Sequence, residues 1–223
     1  MSTYPKLDTL YTRGADFNVV PGSYSRPEFG LINDWIITEK IEGTNIRLDF
    51  RADLASERLR FDVLGRTDQA QIPRPLLTTM NDWCQLHRAE VFAIMERYEL
   101  TTYTLYGEGY GAGIESGGHY RADQGFILFD VGVNGHWLDH RQVANTSFEL
   151  RLEHVPILGR MTEQSAVELV RNNQLSAVAD AHRRAEGVVA RPAVPLFDRR
   201  GERVMWKLKT RDFTKGKQPK ERQ

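Results

Sequence analysis

The chain has 223 residues, of which 40% are hydrophobic and 27% are charged, which is typical of a soluble globular protein with a sizeable core. Its formal net charge is +0, so no overall positive field would draw it to nucleic acid or to a membrane surface. The single cysteine, Cys84, excludes an internal disulfide and a cysteine metal cluster, and we expect it to be buried. No apolar targeting segment or membrane-length apolar run is present, which predicts a cytoplasmic protein.

Short apolar and β-branched runs predict many strands along the chain. These strands include Trp35–Ile41, Asn45–Phe50, Arg58–Leu64, Tyr103–Gly107, Phe126–Val131, Gly187–Arg191 and Arg203–Leu208.

Apolar residues at three- and four-residue spacing predict two helices of normal length, over Leu76–Leu100 and Met161–Ala185. A shorter helix is expected around His140–Leu152. The glycine-rich stretch Tyr106–Ile114 predicts a loop in which the backbone can come close to a ligand.

Strands grouped on both sides of helices predict an α+β fold with mainly antiparallel sheets. Because no internal repeat or low-complexity linker interrupts the chain, we expect a single domain over residues 1–215 and no separate C-terminal domain. Seven lysines and arginines from Lys207 to Gln223 face only two acidic residues, which predicts a basic tail at residues 216–223. Such a tail would either contact phosphates or be solvated.

Lys40 stands at the end of a predicted strand, and Gly43 then turns the chain into the next strand. In this position the amine can lie inside a cleft. Only a neutral amine is a nucleophile, and desolvation and nearby positive charge favour that form. The structural alternative is a surface lysine that ends an edge strand.

Other polar and aromatic residues lie beside the remaining strands, where each could also be an ordinary turn, core or solvated residue. Together they offer an aromatic wall for a base, a carboxylate for ribose, cations for phosphates and a carboxylate for a divalent metal. Alternation places Lys207 and Lys209 on one face of a strand. The residues are Arg66, Glu108, Phe129, Glu186, Lys207 and Lys209.

These residues fall in six ordered segments within residues 35–215. The order resembles the covalent nucleotidyltransferases, which comprise ligases and capping enzymes, and most closely the nick-sealing ATP-dependent RNA ligase family. The resemblance implies an ATP-grasp-like adenylation (nucleotidyltransferase) domain. The segments are Glu39-Lys40-Ile41-Glu42-Gly43-Thr44-Asn45, Gly65-Arg66-Thr67, Tyr106–Ile114, Phe129-Asp130-Val131, Ala185-Glu186-Gly187 and Trp206-Lys207-Leu208-Lys209.

The resemblance also implies a role for each residue in an RNA ligase that forms a lysyl-AMP intermediate. Lys40 would take AMP, and Lys207 and Lys209 would hold the α-phosphate and stabilise transition-state charge. The nucleotide and metal contacts would be Glu39 and Ile41 at the adenine, Asn45 and Arg66 at ribose or phosphate, Glu108 at the ribose, Phe129 stacked on the adenine, and Glu186 at the metal.

The implied cofactors are ATP and Mg²⁺ or Mn²⁺, and the implied partner is RNA with 5′-phosphate and 3′-hydroxyl ends, as in a nicked duplex. One departure from the family is Glu42, where nick-sealing members have histidine and DNA ligases have aspartate. Two alternatives stay open: a DNA ligase or GTP-using capping enzyme, and a module that binds a nucleotide or RNA ends without sealing them. The oligomeric state is not predicted.

Overall fold

The computed structural model describes residues 3–115, 117–179 and 182–213. Its contacts divide the chain into two compact units. Unit 1 is built on Glu42–Val155 and includes the described part of the first five residues; unit 2 consists of Lys6–Ile41, Pro156–Val178 and the described residues from His182 onward. The single domain over residues 1–215 stays a prediction, and the basic tail predicted at residues 216–223 lies outside the described residues.

The described residues form thirteen strands, and each strand named from the sequence is confirmed except the first half of Arg203–Leu208, because that strand begins at Trp206. In chain order they are β1 (Asp8–Thr9), β2 (Tyr11–Arg13), β3 (Val19–Tyr24), β4 (Trp35–Lys40), β5 (Thr44–Asp53), β6 (Arg58–Gly65), β7 (Thr102–Gly111), β8 (Gln124–Val133), β9 (His136–Trp137), β10 (Glu153–His154), β11 (Ile157–Met161), β12 (Gly187–Pro192) and β13 (Trp206–Lys209).

Four α-helices and three short 3₁₀ turns accompany these strands in the described ranges. None of those helices is both long and apolar enough to cross a membrane. The helices are α1 (Arg74–Leu86), α2 (Arg88–Arg97), α3 (His140–Glu149) and α4 (Glu163–Arg171), and the 3₁₀ turns are Pro27–Leu31, Gly117–His119 and Thr210–Phe213.

The helix predicted over Leu76–Leu100 is two helices, because the backbone of His87, at φ −93° and ψ 12°, leaves the helical region between α1 and α2. Cys84 and Val91, on either side of the break, are both buried. Their seven-residue spacing continues the helical period, so the apolar pattern carries no sign of the break.

The helix predicted over Met161–Ala185 is correct only for α4. Met161 belongs to β11, and the side chain of Thr162 accepts a hydrogen bond from the Ser165 N–H at the helix start. The helix ends at Arg171, and Asn173 follows with φ 51°, a left-handed conformation that asparagine tolerates. Apolar residues beyond this point suggested helix, but two consecutive asparagines stop it.

Unit 1 is a six-stranded sheet with three helices on one face. The strand order is β10-β8-β7-β5-β6, with β9 also paired to β8, and every pairing except β10 with β8 is antiparallel. Ile46 and Leu48 of β5 pack into the core with the helices, and Cys84 is fully buried there, as expected. Alternation along β5 places Asn45 and Arg47 on the opposite face.

The glycine-rich loop predicted at Tyr106–Ile114 is wrong for its first half, because residues 106–111 are part of β7. A Cβ on Gly107 would lie 2.4 Å from the ring of Phe126, and one on Gly109 would lie 2.3 Å from the side chain of Leu76. These glycines therefore allow close packing inside a sheet and do not form a ligand loop.

Unit 2 contains a five-stranded sheet in the order β1-β13-β12-β4-β11 and the hairpin β2–β3. Its core includes Trp35, Val188 and Trp206, with Val167 of α4 packed among them. Since Trp206 and Leu208 are buried on one face of β13, Lys207 and Lys209 share the other face, as the sequence predicts.

Candidate active site

Three charged residues meet at the same level of the unit 2 sheet. Lys40 ends β4 and pairs with Gly187 of β12, and Gly187 pairs on its other side with Lys209 of β13. Glu186 immediately precedes Gly187. We call Lys40, Glu186 and Lys209 the lysine–glutamate cluster. Because β4 lies between β12 and β11, Lys40 is on an inner strand and not on an edge strand.

Glu186 bridges the two lysines of this cluster. Its Oε2 accepts a hydrogen bond from Lys40 Nζ at 2.6 Å, and its Oε1 accepts one from Lys209 Nζ at 2.5 Å. The side chains of Lys40, Glu186 and Lys209 are 20%, 12% and 18% exposed. Lys40 Nζ also donates to the Ile41 carbonyl at 3.3 Å. The cluster is therefore largely withdrawn from water.

The electrostatics of the cluster keep Glu186 ionised. Burial by itself would raise the pKa of Glu186, but the neighbouring charges of Lys40 and Lys209 outweigh it and hold the pKa below its usual range. The carboxylate is thus available both to pair with the lysines and to take part in binding a divalent cation.

Gly187 explains how β12 and β13 come close enough for this contact. A Cβ at this position would lie 2.1 Å from the Leu208 carbonyl oxygen and 2.7 Å from the Lys209 Cα. Only glycine fits, so the Glu-Gly pair of the sequence delivers the Glu186 side chain directly beside Lys209. Lys207, two residues earlier on β13, pairs with Val189 and is half-buried.

Glu39 and Ile41 flank Lys40 and are both buried. Glu39 Oε2 accepts a hydrogen bond from the Ala177 N–H at 2.8 Å, and Oε1 accepts one from Ser176 Oγ. Burial raises the pKa of Glu39, although these two hydrogen bonds oppose the shift. Ser176 and Ala177 lie where the sequence predicts helix, so no sequence pattern associates them with Glu39.

In unit 1, Asn45 of β5 pairs directly with Glu108 of β7, so their side chains lie side by side on one face. Arg66 is exposed and follows Gly65, which pairs with Ile46 next to Asn45. The Asn45 Oδ1 is buried and has no hydrogen-bond partner within the described residues. A buried acceptor in this condition is costly unless something else, such as a ligand hydroxyl, satisfies it.

Phe129 lies at a bulge in β8. Its neighbours Leu128 and Asp130 pair with Gly107 and Tyr106, which are consecutive, so Phe129 is the extra residue. The half-buried ring packs edge-on against Tyr4 at a centroid distance of 5.0 Å, and the Tyr4 hydroxyl donates to Asp130 Oδ2 at 2.9 Å. Sequence reasoning missed Tyr4, because no local pattern links it to a strand 125 residues away.

A divalent metal fits the cluster only if it arrives together with phosphates. Within the described residues, no group of three or more histidine, cysteine, aspartate or glutamate side chains could hold a metal alone. Mg²⁺ is commonly held by one or two carboxylates together with substrate phosphates and water. Glu186 can supply one such carboxylate.

Comparison with known proteins identifies the fold. The chain is similar to Naegleria gruberi RNA ligase. A point mutant of that ligase with ATP and Mn gives a TM-score of 0.56 at 16% identity, covering 92% of this chain and 60% of the ligase. The same ligase with PPi gives a TM-score of 0.56 at 16% identity, covering 92% of this chain and 61% of the ligase. A mutant with AMP and Mn gives a TM-score of 0.57 at 15% identity, covering 92% of this chain and 61% of the ligase. The chain thus shares the fold of this RNA ligase, which confirms the α+β prediction.

Membership of a family follows from the sequence itself. A profile of the family described as RNA ligase matches residues 33–209, which is most of the chain and includes every predicted site residue. The chain therefore belongs to the RNA ligase family, as the resemblance indicated. It spans about 60% of the length of the Naegleria ligase.

Proposed function

We propose that this chain is an ATP-dependent RNA ligase that works through a lysyl-AMP intermediate on Lys40. The observation that carries the proposal is the lysine–glutamate cluster, in which three adjacent strands hold Lys40 and Lys209 against one carboxylate. Family membership supports it. A lysine that is withdrawn from water and lies near a second cation is suited to nucleophilic attack on a phosphate once it has lost its proton.

In the first step, Lys40 Nζ attacks the α-phosphorus of ATP. A nitrogen–phosphorus bond forms while the bond to the oxygen bridging the α- and β-phosphates breaks, and pyrophosphate leaves. The Lys40 ammonium must first lose its proton to solvent, and Glu186, which stays ionised, orients the amine through the contact of its Oε2 with Nζ. Lys209, together with Lys207, supplies positive charge to the α-phosphate oxygens.

The other predicted residues have proposed roles in nucleotide binding. Within unit 2, Glu39 and Ile41 contact the adenine, and Glu186 would hold Mg²⁺ or Mn²⁺, which would neutralise phosphate charge. Within unit 1, Phe129 stacks on a base, and Asn45, Arg66 and Glu108 bind ribose or phosphate. The unpartnered, buried Asn45 Oδ1 supports its role, because it is an acceptor that a ribose hydroxyl could satisfy.

The remaining steps join RNA ends. AMP passes from Lys40 to a 5′-phosphate, and a 3′-hydroxyl then displaces AMP to form the phosphodiester. A nicked duplex is the proposed substrate, because it holds both ends in place.

The first step is tested by incubating the protein with α-labelled ATP and Mg²⁺ and measuring its intact mass. We expect an acid-labile increment of one AMP that added pyrophosphate removes. Lys40→Ala should abolish it, and so should Lys40→Arg, which keeps the charge but is not a nucleophile. Full labelling of either variant would contradict the assignment of Lys40.

The substrate is tested separately. We expect labelling by ATP and not by GTP, and sealing of nicked RNA in preference to nicked DNA. Labelling by GTP would favour a capping-type enzyme, and better sealing of DNA would favour a DNA ligase. Salt-sensitive binding of RNA ends without any labelling would indicate a binding module.

A further inference from the structure

Asp212 is a buried carboxylate just beyond the last strand of unit 2, and no motif of the sequence points to it. It lies in the turn Thr210–Phe213 and is 2% exposed. Its Oδ2 accepts a hydrogen bond from the Lys209 backbone N–H at 2.8 Å, and its Oδ1 accepts one from the Arg13 guanidinium at 2.7 Å. The carboxylate therefore links the end of β13 to the hairpin strand β2.

Two more hydrogen bonds fix the same short stretch of backbone. The Thr210 N–H donates to the Glu186 carbonyl at 2.9 Å, and Thr210 Oγ1 donates to the Ala185 carbonyl at 3.1 Å. With the bond to Asp212, they hold the backbone at Lys209 in place relative to Ala185 and Glu186. The Lys209 side chain starts from that backbone and reaches Glu186 Oε1 at 2.5 Å.

We propose that Asp212 is a positioning residue for Lys209 in nucleotidyl transfer, which rests on the proposed function. A lysine side chain has several rotatable bonds, so the place of its ammonium depends on how firmly its backbone is held. A hydrogen bond to an ionised acceptor is about twice as strong as a neutral one, and this carboxylate is itself held by Arg13. Asp212 thus acts on the reaction through the main chain of Lys209.

The expected effect of Asp212→Ala is a loss of rate and not of nucleotide affinity. A misplacement of about 1 Å can cost on the order of 100-fold in rate. Because Lys209 would stabilise charge that develops in the transition state, we expect single-turnover labelling of Lys40 to slow by about 100-fold, with the KM for ATP changed by less than about threefold. Asp212→Asn keeps an oxygen that can accept from the Lys209 N–H and should restore the rate to within about tenfold of wild type.

A double-mutant cycle with Lys209→Met distinguishes positioning from a general structural role. If Asp212 acts through Lys209, Asp212→Ala should slow labelling by less than about threefold in the Lys209→Met background. A further loss of about 100-fold there would overturn the proposal. Should Asp212→Ala fail to fold, the same cycle is run with Asp212→Asn, whose smaller loss should likewise vanish in that background.

Two matched variants control for neighbouring effects. Arg13→Gln removes the ion pair but keeps the bond to Lys209, so it should slow labelling clearly less than Asp212→Ala does; a loss equal to that of Asp212→Ala would overturn the proposal. Asp198 also accepts from backbone N–H groups, those of Arg200 and Glu202, and from Arg26. Asp198→Ala should lower stability without slowing labelling, and equal slowing would show a merely structural effect.

A crystal structure of the Asp212→Ala protein gives a readout that needs no activity. We expect the Lys209 ammonium to leave its 2.5 Å contact with Glu186. Retention of that contact would overturn the assignment even if labelling slows. If wild-type protein takes no label from ATP at all, the proposed function fails, and the structure of the variant still decides whether Asp212 positions Lys209.

Discussion

The predicted site residues of the two units differ in how fully their polar atoms are paired. In unit 2, the lysine–glutamate cluster satisfies itself, since Glu186 uses one oxygen for Lys40 and the other for Lys209. In unit 1, Asn45 keeps a buried oxygen for which the described residues offer no partner. One region has paired its charges, and the other retains an unused acceptor.

Under the proposed function, this difference sets what each region would do when a nucleotide binds. The cluster would exchange its internal ion pairs for contacts with phosphate. Asn45 would gain a contact and give up none. Substitutions in the cluster should therefore change both stability and rate, whereas substitution of Asn45 should change affinity alone.

The largest expected effect comes from breaking the paired region at Glu186. Glu186→Gln leaves two ammonium groups beside a neutral amide, so the free energy of unfolding should fall by about 2 kcal/mol in urea titrations. Labelling of Lys40 should slow by at least about 100-fold, because the orientation of both lysines is lost.

Glu149→Gln is the matched control for this variant. Glu149 pairs with Arg97 at 2.7 Å, but the two side chains are 40% and 55% exposed. Solvent screens such pairs, so neither stability nor labelling should change measurably. Equal effects from the two variants would show that the cluster is no different from a surface ion pair.

The sequence predicts the residues of the lysine–glutamate cluster better than the residues that hold them in place. Alternation placed Lys207 and Lys209 on one face, and the strand signals around Lys40 and Gly187 put them in the sheet. These are local patterns with a period of two. Strand order brings the residues together, and one-dimensional patterns do not encode it; here the family resemblance supplied the association of Lys40 with Glu186.

What the sequence could not reveal are contacts between distant segments and packing inside the sheet. Ser176 reaches Glu39, and Asp212 reaches Arg13, through hydrogen bonds between distant segments that leave no periodic signature. The glycines of β7 were interpreted as a loop, because glycine gives the same local signal whether it frees the backbone or admits a neighbouring ring. Only Phe126 and Leu76, from other elements, decide between those cases.

A smaller effect should come from the unused acceptor in unit 1. Asn45→Ala removes an oxygen that is unsatisfied in the free protein, so the free energy of unfolding should change by less than about 1 kcal/mol. The Kd for an ATP analogue that cannot be cleaved between the α- and β-phosphates should rise about tenfold, measured by calorimetry. Unchanged affinity would show that no nucleotide group uses this oxygen.

Asn134, in the same unit, has a side-chain oxygen that is fully hydrogen-bonded, unlike that of Asn45. Its Oδ1 accepts hydrogen bonds from the Thr101 N–H, the Thr101 hydroxyl and the Thr102 N–H. Asn134→Ala should therefore lower stability by about 1–2 kcal/mol and leave analogue binding unchanged. The two asparagines should thus show opposite pairs of effects.

The smallest effect is a difference in pH dependence between the two buried glutamates of unit 2. The lowered pKa of Glu186 means that its stabilising contribution is present above the ordinary value near 4.5 and is lost as the pH falls through the lowered value. The pKa of Glu39 is shifted in the opposite direction, so its stabilising contribution is present below pH 4.5 and is lost as the pH rises through the raised value.

Urea titrations from about pH 3 to pH 7 test both signs. The free energy of unfolding should fall less steeply at acid pH for Glu186→Gln than for wild type, and less steeply above pH 4.5 for Glu39→Gln. Parallel curves for the two variants and wild type would mean that neither carboxylate differs in pKa between the folded and unfolded chain, and that the charges of the cluster are not held as tightly as their distances indicate.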